Sequence, residues 1–212
     1  MCSGRIDLEF ILRAFSNGMD GVFIGGCRLN ECNYITQGNY DALNLVLLCR
    51  KIMAHIGLNP ERLSIEFMSS GEGILLTEVI NDFVKKVEEI GPLGKSEGID
   101  EKGLEFKLEA VTKLIPYIKL VERERLRVPL KSAEAYNNFF ASDEVNRLFN
   151  ELIGDKLAIS QIMLLLRESP LSTGEISEIL GLNPSEVSRH MNSSSRHGLV
   201  KYDESQKRYA LA

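Results

Sequence analysis

The stretch DGVFIGGC, residues 20–27, decides how the first part of this chain folds. Its short apolar run ends in two glycines, which is typical of a buried strand in a parallel sheet. Cys27 follows directly, at the carboxyl end of the predicted strand, where open α/β sheets place their sites. The stretch therefore predicts an α/β fold with a cysteine at its functional edge.

The segments around this strand alternate between helix and strand. Hydrophobic periodicity predicts helices over residues 6–17, 39–57 and 71–91, and the run LSIEFM at 63–68 predicts a second strand. This order indicates an α/β domain at residues 1–92, with a partial parallel sheet and flanking helices. Because two strands do not make a stable sheet by themselves, we expect the front of the domain to be absent from this chain or supplied by another.

The composition excludes several classes of protein. The 212 residues are 44% hydrophobic and 26% charged, with a formal net charge of −5. These values exclude a disordered or collagen-like chain, and no apolar run reaches the ~18 residues that a membrane span needs. The N-terminus lacks the pattern of a signal peptide, so we expect a cytoplasmic protein whose thiols stay reduced.

The four cysteines all lie in the first quarter of the chain. The C-x4-C spacing from Cys27 to Cys32, with Cys2 from a neighbouring strand end, predicts that three thiolates come together. Thiolates beside glycine-rich backbone suit a metal or an iron–sulfur cluster. Unligated thiols and a redox-active thiol pair are the alternatives. Cys49 lies in an apolar helical run and is predicted to be a core residue.

Residues 93–156 predict a linker followed by a helical connector. Glycine and charged residues dominate 91–103, which is typical of a linker. Helices are expected over 104–127, 132–140 and 143–168, and Pro116 should kink or split the first of them.

Residues 157–212 predict a winged helix-turn-helix. Ser172 and Glu175 have the spacing of a capping box, Pro184 opens a second helix, and residues 199–211 indicate two strands. Such domains often place the second helix in the DNA major groove. Residues 170–212 carry five basic and five acidic side chains, without the basic excess typical of DNA-binding surfaces. Protein docking or a vestigial role is therefore the competing interpretation. The possible DNA-binding residues are Ser185, Ser188, Arg189, Asn192 and Arg196.

Several short motifs in residues 2–92 carry a family resemblance. They are Cys2-Ser3-Gly4-Arg5-Ile6-Asp7, Asp20-Gly21-Val22, Gly26-Cys27 with Cys32 and Tyr34, Gly57-Leu58, Pro60-Glu61-Arg62-Leu63, Glu72-Gly73 and the helix end from Phe83 to Pro92. With them the segment resembles the delta subunit of methyl-viologen-reducing hydrogenase, a family of small iron–sulfur proteins. The resemblance implies a [2Fe-2S] cluster with Cys2, Cys27 and Cys32 among its ligands. It also implies an electron-transfer subunit between a hydrogenase, or a formate dehydrogenase, and a heterodisulfide reductase-type complex.

The sequence departs from the family pattern in two ways. The family has a C-x2-C pair on a strand upstream of the segment that begins at Cys2, and it commonly has His where this chain has Asn33. Four ligands hold a [2Fe-2S] cluster, and this chain offers three. We expect a longer reading frame or a partner chain to contribute the missing strand and thiols; the alternative is a relative that has lost its cluster. A competing hypothesis for the whole chain is a redox- or iron-responsive DNA-binding transcription regulator.

Overall fold

The computed structural model describes residues 2–34 and 38–212. The chain forms two compact units. The first comprises the residues up to Leu108 together with Ile115–Arg147, and the second comprises Glu109–Leu114 together with Leu148–Ala212.

A two-stranded parallel sheet lies at the centre of the first unit in the part of the chain described. Strands β1 and β2 pair with Val22 opposite Leu63 and Gly26 opposite Phe67. The chain order is α1 (Leu8–Ser16), β1 (Val22–Gly26), α2 (Asn39–His55), β2 (Leu63–Phe67) and α3 (Gly73–Ile90). Further helices follow at α4 (Glu101–Thr112), α5 (Ile115–Arg125), α6 (Ala133–Ala141) and α7 (Asp143–Phe149).

The core of the first unit is built from apolar side chains on α1 and α2. One face of α1 is buried because its apolar residues recur at helical spacing, and α2 buries a second apolar set beside β2. Cys49 belongs to this core with no exposed surface, as its apolar surroundings in the sequence predict. The buried residues of α1 are Leu8, Ile11, Leu12 and Phe15.

The helix ends differ from the predicted ones by a few residues, for local reasons. Helix α1 begins at Leu8, two residues later than predicted, because the Asp7 carboxylate caps it by accepting the N–H of Glu9 at 3.0 Å. Helix α2 ends at His55 because Gly57 takes a positive φ of 84°. The helical stretch predicted at 104–127 is split, as Pro116 predicts, into α4 and α5, which separate just before that proline.

The second unit contains a helix-turn-helix followed by a β-hairpin. A π-helical turn (Asn150–Gly154) interrupts the predicted 143–168 helix and leads into α8 (Asp155–Glu168). Then come α9 (Thr173–Leu180), α10 (Pro184–Arg196) and the antiparallel strands β3 (Val200–Asp203) and β4 (Arg208–Leu211). Their shared core is Ile162, Leu166, Ile176, Val187, Met191 and Val200.

These elements confirm the predicted fold class. A partial parallel sheet with flanking helices is followed by a helix-rich region and a winged helix-turn-helix. Within the residues that the structure describes, no helix is long and apolar enough to cross a membrane.

Candidate functional site

The carboxyl ends of β1 and β2 open onto a cavity of ≈ 340 Å³. Cys27 follows the last residue of β1, and the N–H of Met68 donates to the Gly26 carbonyl at 2.9 Å where β2 ends. Cys2 and Ser3 line the same cavity, because the turn that Cys2 caps lies beside the end of β1. The α/β topology therefore places the predicted cysteines at the edge that such folds use for sites.

Cys2, Cys27 and Cys32 lie together at this edge. The Sγ atoms of Cys2 and Cys32 are 3.7 Å apart, and the thiol of Cys27 is near enough to Cys32 for Cys32 to raise its pKa. Cys49 is buried in the core and lies outside this group. Over residues 2–34 and 38–212, no set of three or more His, Cys, Asp or Glu side chains has the geometry to hold a metal ion. The three thiols are neighbours without forming a closed ligand set.

Two of these thiols have different environments. The pKa of Cys32 is lowered by the backbone N–H groups of Tyr34 and Asn39, which point at its sulfur, and by the thiols of Cys27 and Cys2. The pKa of Cys27 is raised by burial first, and then by the hydrogen bond and the charge of Cys32. The lowered pKa of Cys32 favours its thiolate, which is the form that binds metal.

Two glycines bring backbone close to side chains of the site. A Cβ on Gly38 would lie 2.6 Å from the Cys32 Sγ, and one on Gly26 would lie 3.0 Å from the Ser3 Oγ. That Ser3 hydroxyl is buried and has no hydrogen-bond partner among the described residues. A larger side chain at either glycine would displace the groups that line the site.

Asn39, the first residue of α2, connects both cysteines of the C-x4-C pair. Its side chain is almost completely buried, and its Nδ2 donates to the carbonyls of Cys27 at 2.8 Å and of Arg28 at 2.7 Å. The same Nδ2 is 3.7 Å from the Cys27 Sγ, while the Asn39 backbone N–H bonds to Cys32. No motif in the sequence points to Asn39, and its place directly after Gly38 is the one signal there.

Arg28 holds Glu72, one of the residues that line the cavity. Its guanidinium pairs with the Glu72 carboxylate through two nitrogens, with Nε 3.1 Å from Oε2. Glu72 also accepts the N–H of Ser69 at 2.7 Å. This pair ties the loop after β1 to the loop after β2, across the carboxyl edge of the sheet.

The chemistry of these residues fits an iron–sulfur cluster, but the thiol ligands are too few to hold one by themselves. Soft thiolates, N–H groups aimed at sulfur and close glycine backbone are the features that stabilise such clusters. Three thiols converge where a [2Fe-2S] cluster needs four ligands. Cys49 does not complete the set, because burial raises the pKa of its thiol to about 12 within the core.

In the second unit, the predicted DNA-binding residues share one exposed face of α10. All five line an open groove of ≈ 750 Å³. Arg189 also pairs with Asp155, with Nη2 and Oδ1 3.1 Å apart. On the wing, Arg208 pairs with Glu175 at 2.6 Å. The face is polar, and two of the nearby arginines already have acidic partners inside the unit.

Two segments of this chain match known protein families. Residues 1–91 match the family described as methyl-viologen-reducing hydrogenase, delta subunit. Residues 160–202 match a second family, bacterial regulatory protein, arsR family. The two matches fall on the thiol-bearing sheet and on the helix-turn-helix.

Individual relatives support the first match. The chain is 43% identical over 91 residues to an iron-sulfur subunit of the F420-non-reducing hydrogenase of Archaeoglobus profundus, covering 43% of this chain and 66% of that protein. It is 35% identical over 92 residues to the corresponding iron-sulfur subunit of the vhu hydrogenase of Methanopyrus kandleri, covering 43% of this chain and 69% of that protein. The chain belongs to the methyl-viologen-reducing hydrogenase delta subunit family.

The same segment also occurs inside a much longer relative. The chain is 46% identical over 94 residues to one subunit of the ferredoxin/F(420)H(2)-dependent CoB-CoM heterodisulfide reductase of Methanosarcina acetivorans. This match covers 44% of this chain but only 12% of the relative. The segment thus occurs both in proteins named as hydrogenase subunits and within one named as part of a heterodisulfide reductase.

Proposed function

We propose that this chain is an iron–sulfur electron-transfer subunit that relays electrons from a hydrogenase or a formate dehydrogenase to a heterodisulfide reductase-type complex. The observation that carries the proposal is the gathering of Cys2, Cys27 and Cys32 at the carboxyl edge of the sheet, with Cys2 and Cys32 Sγ 3.7 Å apart. The names of the relatives support the two ends of the relay, because the same segment occurs in hydrogenase and heterodisulfide reductase subunits.

Each residue of the site has a part in this proposal. Cys2, Cys27 and Cys32 would hold a [2Fe-2S] cluster, which when bound accepts and gives up single electrons. The N–H groups of Tyr34 and Asn39 stabilise the negative charge on the Cys32 sulfur. A fourth ligand has to come from beyond these three thiols, and a partner protein is the source that we expect.

Iron and acid-labile sulfide analysis of the full chain, purified without oxygen, tests the cluster. The chain is purified both alone and together with its partner proteins. We expect about two irons and two sulfides per chain for one [2Fe-2S] cluster, above all in the copurified preparation. Cys27→Ser and Cys32→Ser should abolish or shift the iron–sulfur absorbance. Cys49→Ala is the matched control, because Cys49 lies in the core away from the site. Absence of iron from both preparations would contradict the proposal that the chain holds a cluster.

The relay itself is tested by affinity purification of the tagged chain from anaerobic cells. We expect hydrogenase or formate dehydrogenase subunits and heterodisulfide reductase-type subunits to copurify. Reduction of the chain's absorbance by hydrogen or formate, and its reoxidation by heterodisulfide, should follow in the purified assembly. A chain that copurifies with neither class of enzyme contradicts the relay.

A second candidate function is a redox- or iron-responsive DNA-binding regulator. The observation that favours it is the exposed polar face of α10, which holds Ser185, Ser188, Arg189, Asn192 and Arg196 within the segment matching the arsR family. Fluorescence anisotropy on the chain's own promoter tests it. We expect the affinity for this DNA to decrease steeply with salt concentration and to decrease in the Arg196→Ala variant. Equal binding to promoter and random DNA contradicts the regulator.

A further inference from the structure

Asn39 is one of only four polar or charged residues in the described chain that are buried. Its side-chain amide donates to two consecutive carbonyls, of Cys27 and Arg28, and this fixes the turn that leaves β1. The same Nδ2, whose hydrogens go to the two carbonyls, is 3.7 Å from the Cys27 Sγ. One side chain therefore sets the direction of the turn and places the electropositive end of its amide beside the sulfur.

Asn39 also reaches the second cysteine of the pair, through a different group. Its backbone N–H lowers the pKa of the Cys32 thiol, and this group survives any change of side chain. A substitution at position 39 therefore changes the surroundings of Cys27 while the backbone donor to Cys32 stays in place. This separation makes the position experimentally useful.

We propose that Asn39 is a positioning residue, which orients the Cys27 sulfur toward the other two thiols and tunes the reduction potential of the cluster that they hold. The inference rests on the proposed function for the cluster. The electropositive end of an amide dipole beside a ligand sulfur stabilises the reduced state, which carries the extra negative charge. Loss of the amide should therefore make the cluster harder to reduce.

Asn39→Leu, which has a similar size and no donor, is the first variant. We expect the reduction potential, measured by a dye-mediated redox titration of the copurified assembly, to become more negative while the iron content stays at the wild-type value. Asn44→Leu is the matched control, because Asn44 is on the same helix and its Nδ2 donates to Glu122 away from the thiols. An unchanged potential in Asn39→Leu with full iron content overturns the inference.

Folding is checked separately, through alkylation of Cys49, which is fully buried in the native unit. If Asn39→Leu exposes Cys49, Asn39→Asp replaces it, because an acidic residue in the first turn of a helix is favourable. Asn39→Asp also lacks the donor and adds a negative charge beside the Cys27 sulfur. We expect a larger negative shift of the potential, and an equal or positive shift contradicts the proposal.

A metal-only experiment separates this inference from the proposed function. Iron-free full chain is titrated with Co²⁺ without oxygen, and binding is followed by the sulfur-to-cobalt absorbance. Loss of a group that orients a metal ligand typically weakens metal binding 10- to 100-fold, so we expect about that loss in Asn39→Leu and none in Asn44→Leu. If the wild-type chain never carries iron, the cluster proposal fails, while the positioning role is still tested by Co²⁺ binding. Equal Co²⁺ affinity in wild type and Asn39→Leu, or no binding by either, defeats the positioning role.

Discussion

Arg62 is the most consequential buried charge in the first unit. Its side chain has no exposed surface, and it pairs with Glu97, with Nε 2.7 Å from Oε1 and Nη2 3.1 Å from Oε2. The remaining guanidinium hydrogens reach the carbonyls of Asp20 at 3.0 Å, Gly91 at 2.8 Å and Pro92 at 3.3 Å. One guanidinium thus joins the segment before β1, the end of α3 and the loop that follows α3.

Arg62→Met keeps the length of the side chain and removes all five hydrogen bonds. It leaves the Glu97 carboxylate, 8% exposed, without its positive partner. Removing one member of a buried ion pair costs about 3–5 kcal/mol. A net contribution of about 1 kcal/mol for each of the five bonds leads to a similar figure. We expect the free energy of unfolding of the first unit to fall by about 4 kcal/mol.

Pulsed alkylation of Cys49 across a urea series, with peptide mass spectrometry, measures this loss in the first unit alone. Cys49 has no exposed surface, and burial raises the pKa of its thiol to about 12, so it reacts when the unit opens. Lys86→Met is the matched control, because Lys86 forms an exposed pair with Glu61 at 2.9 Å. An exposed pair contributes under about 1 kcal/mol. Equal losses in Arg62→Met and Lys86→Met would refute the reasoning.

Three further predictions concern acid stability, the second core and a helix cap. Burial raises the pKa of Glu97, but hydrogen bonds from Arg62 and two backbone N–H groups outweigh it and lower the pKa overall. The stabilisation by ionised Glu97 is therefore complete above the unfolded pKa of about 4.3 and is lost as the pH falls through the lower folded value. In wild type, the urea midpoint measured by Cys49 alkylation should decrease when the pH is lowered below about 4. The decrease should be smaller in Glu97→Gln, and identical pH curves for the two proteins argue against a stabilising role of ionised Glu97. Ile162→Ala removes a fully buried side chain from the second core, so hydrogen exchange in α10 should indicate a loss of about 3 kcal/mol, and unchanged protection would contradict that packing. Ser172→Ala removes the hydroxyl that accepts the N–H of Glu175 at 3.3 Å in the capping box. The loss should cost about 1 kcal/mol in the same assay, and no change would rule out the cap.

The sequence predicts the elements of this fold well, because each depends on local patterns. Helix periodicity, the capping box at Ser172 and the break before Pro116 are all encoded within a few residues of where they act. The positions of Cys27 and Cys32 follow in the same way, because the strand end at Gly26 and the C-x4-C spacing are local. The fold class and the family were therefore within reach of sequence reasoning.

The residues that sequence reasoning missed act through partners far along the chain. Arg62 is a charged residue between Glu61 and Leu63 in the sequence, and its burial depends on Asp20, Gly91 and Glu97. Glu97 lies in a stretch that its composition predicts to be a linker, yet it accepts hydrogen bonds from Arg62 and the N–H of Asn59 at 3.2 Å. Asn39 acts on carbonyls 11 and 12 residues earlier, which no helix or strand period connects to it.

Charge balance is the argument for ranking electron transfer above DNA regulation. A protein that neutralises six or more phosphates loses affinity steeply with salt, because each contact releases counterions. In the winged helix-turn-helix, Arg189 already pairs with Asp155 and Arg208 with Glu175, and residues 170–212 have as many acidic as basic side chains. Breaking those pairs to contact phosphate would cost part of the binding energy. The thiol edge of the first unit needs no such exchange, since its donors already converge on sulfur. This difference is why the thiols, and not the α10 face, carry the proposed function.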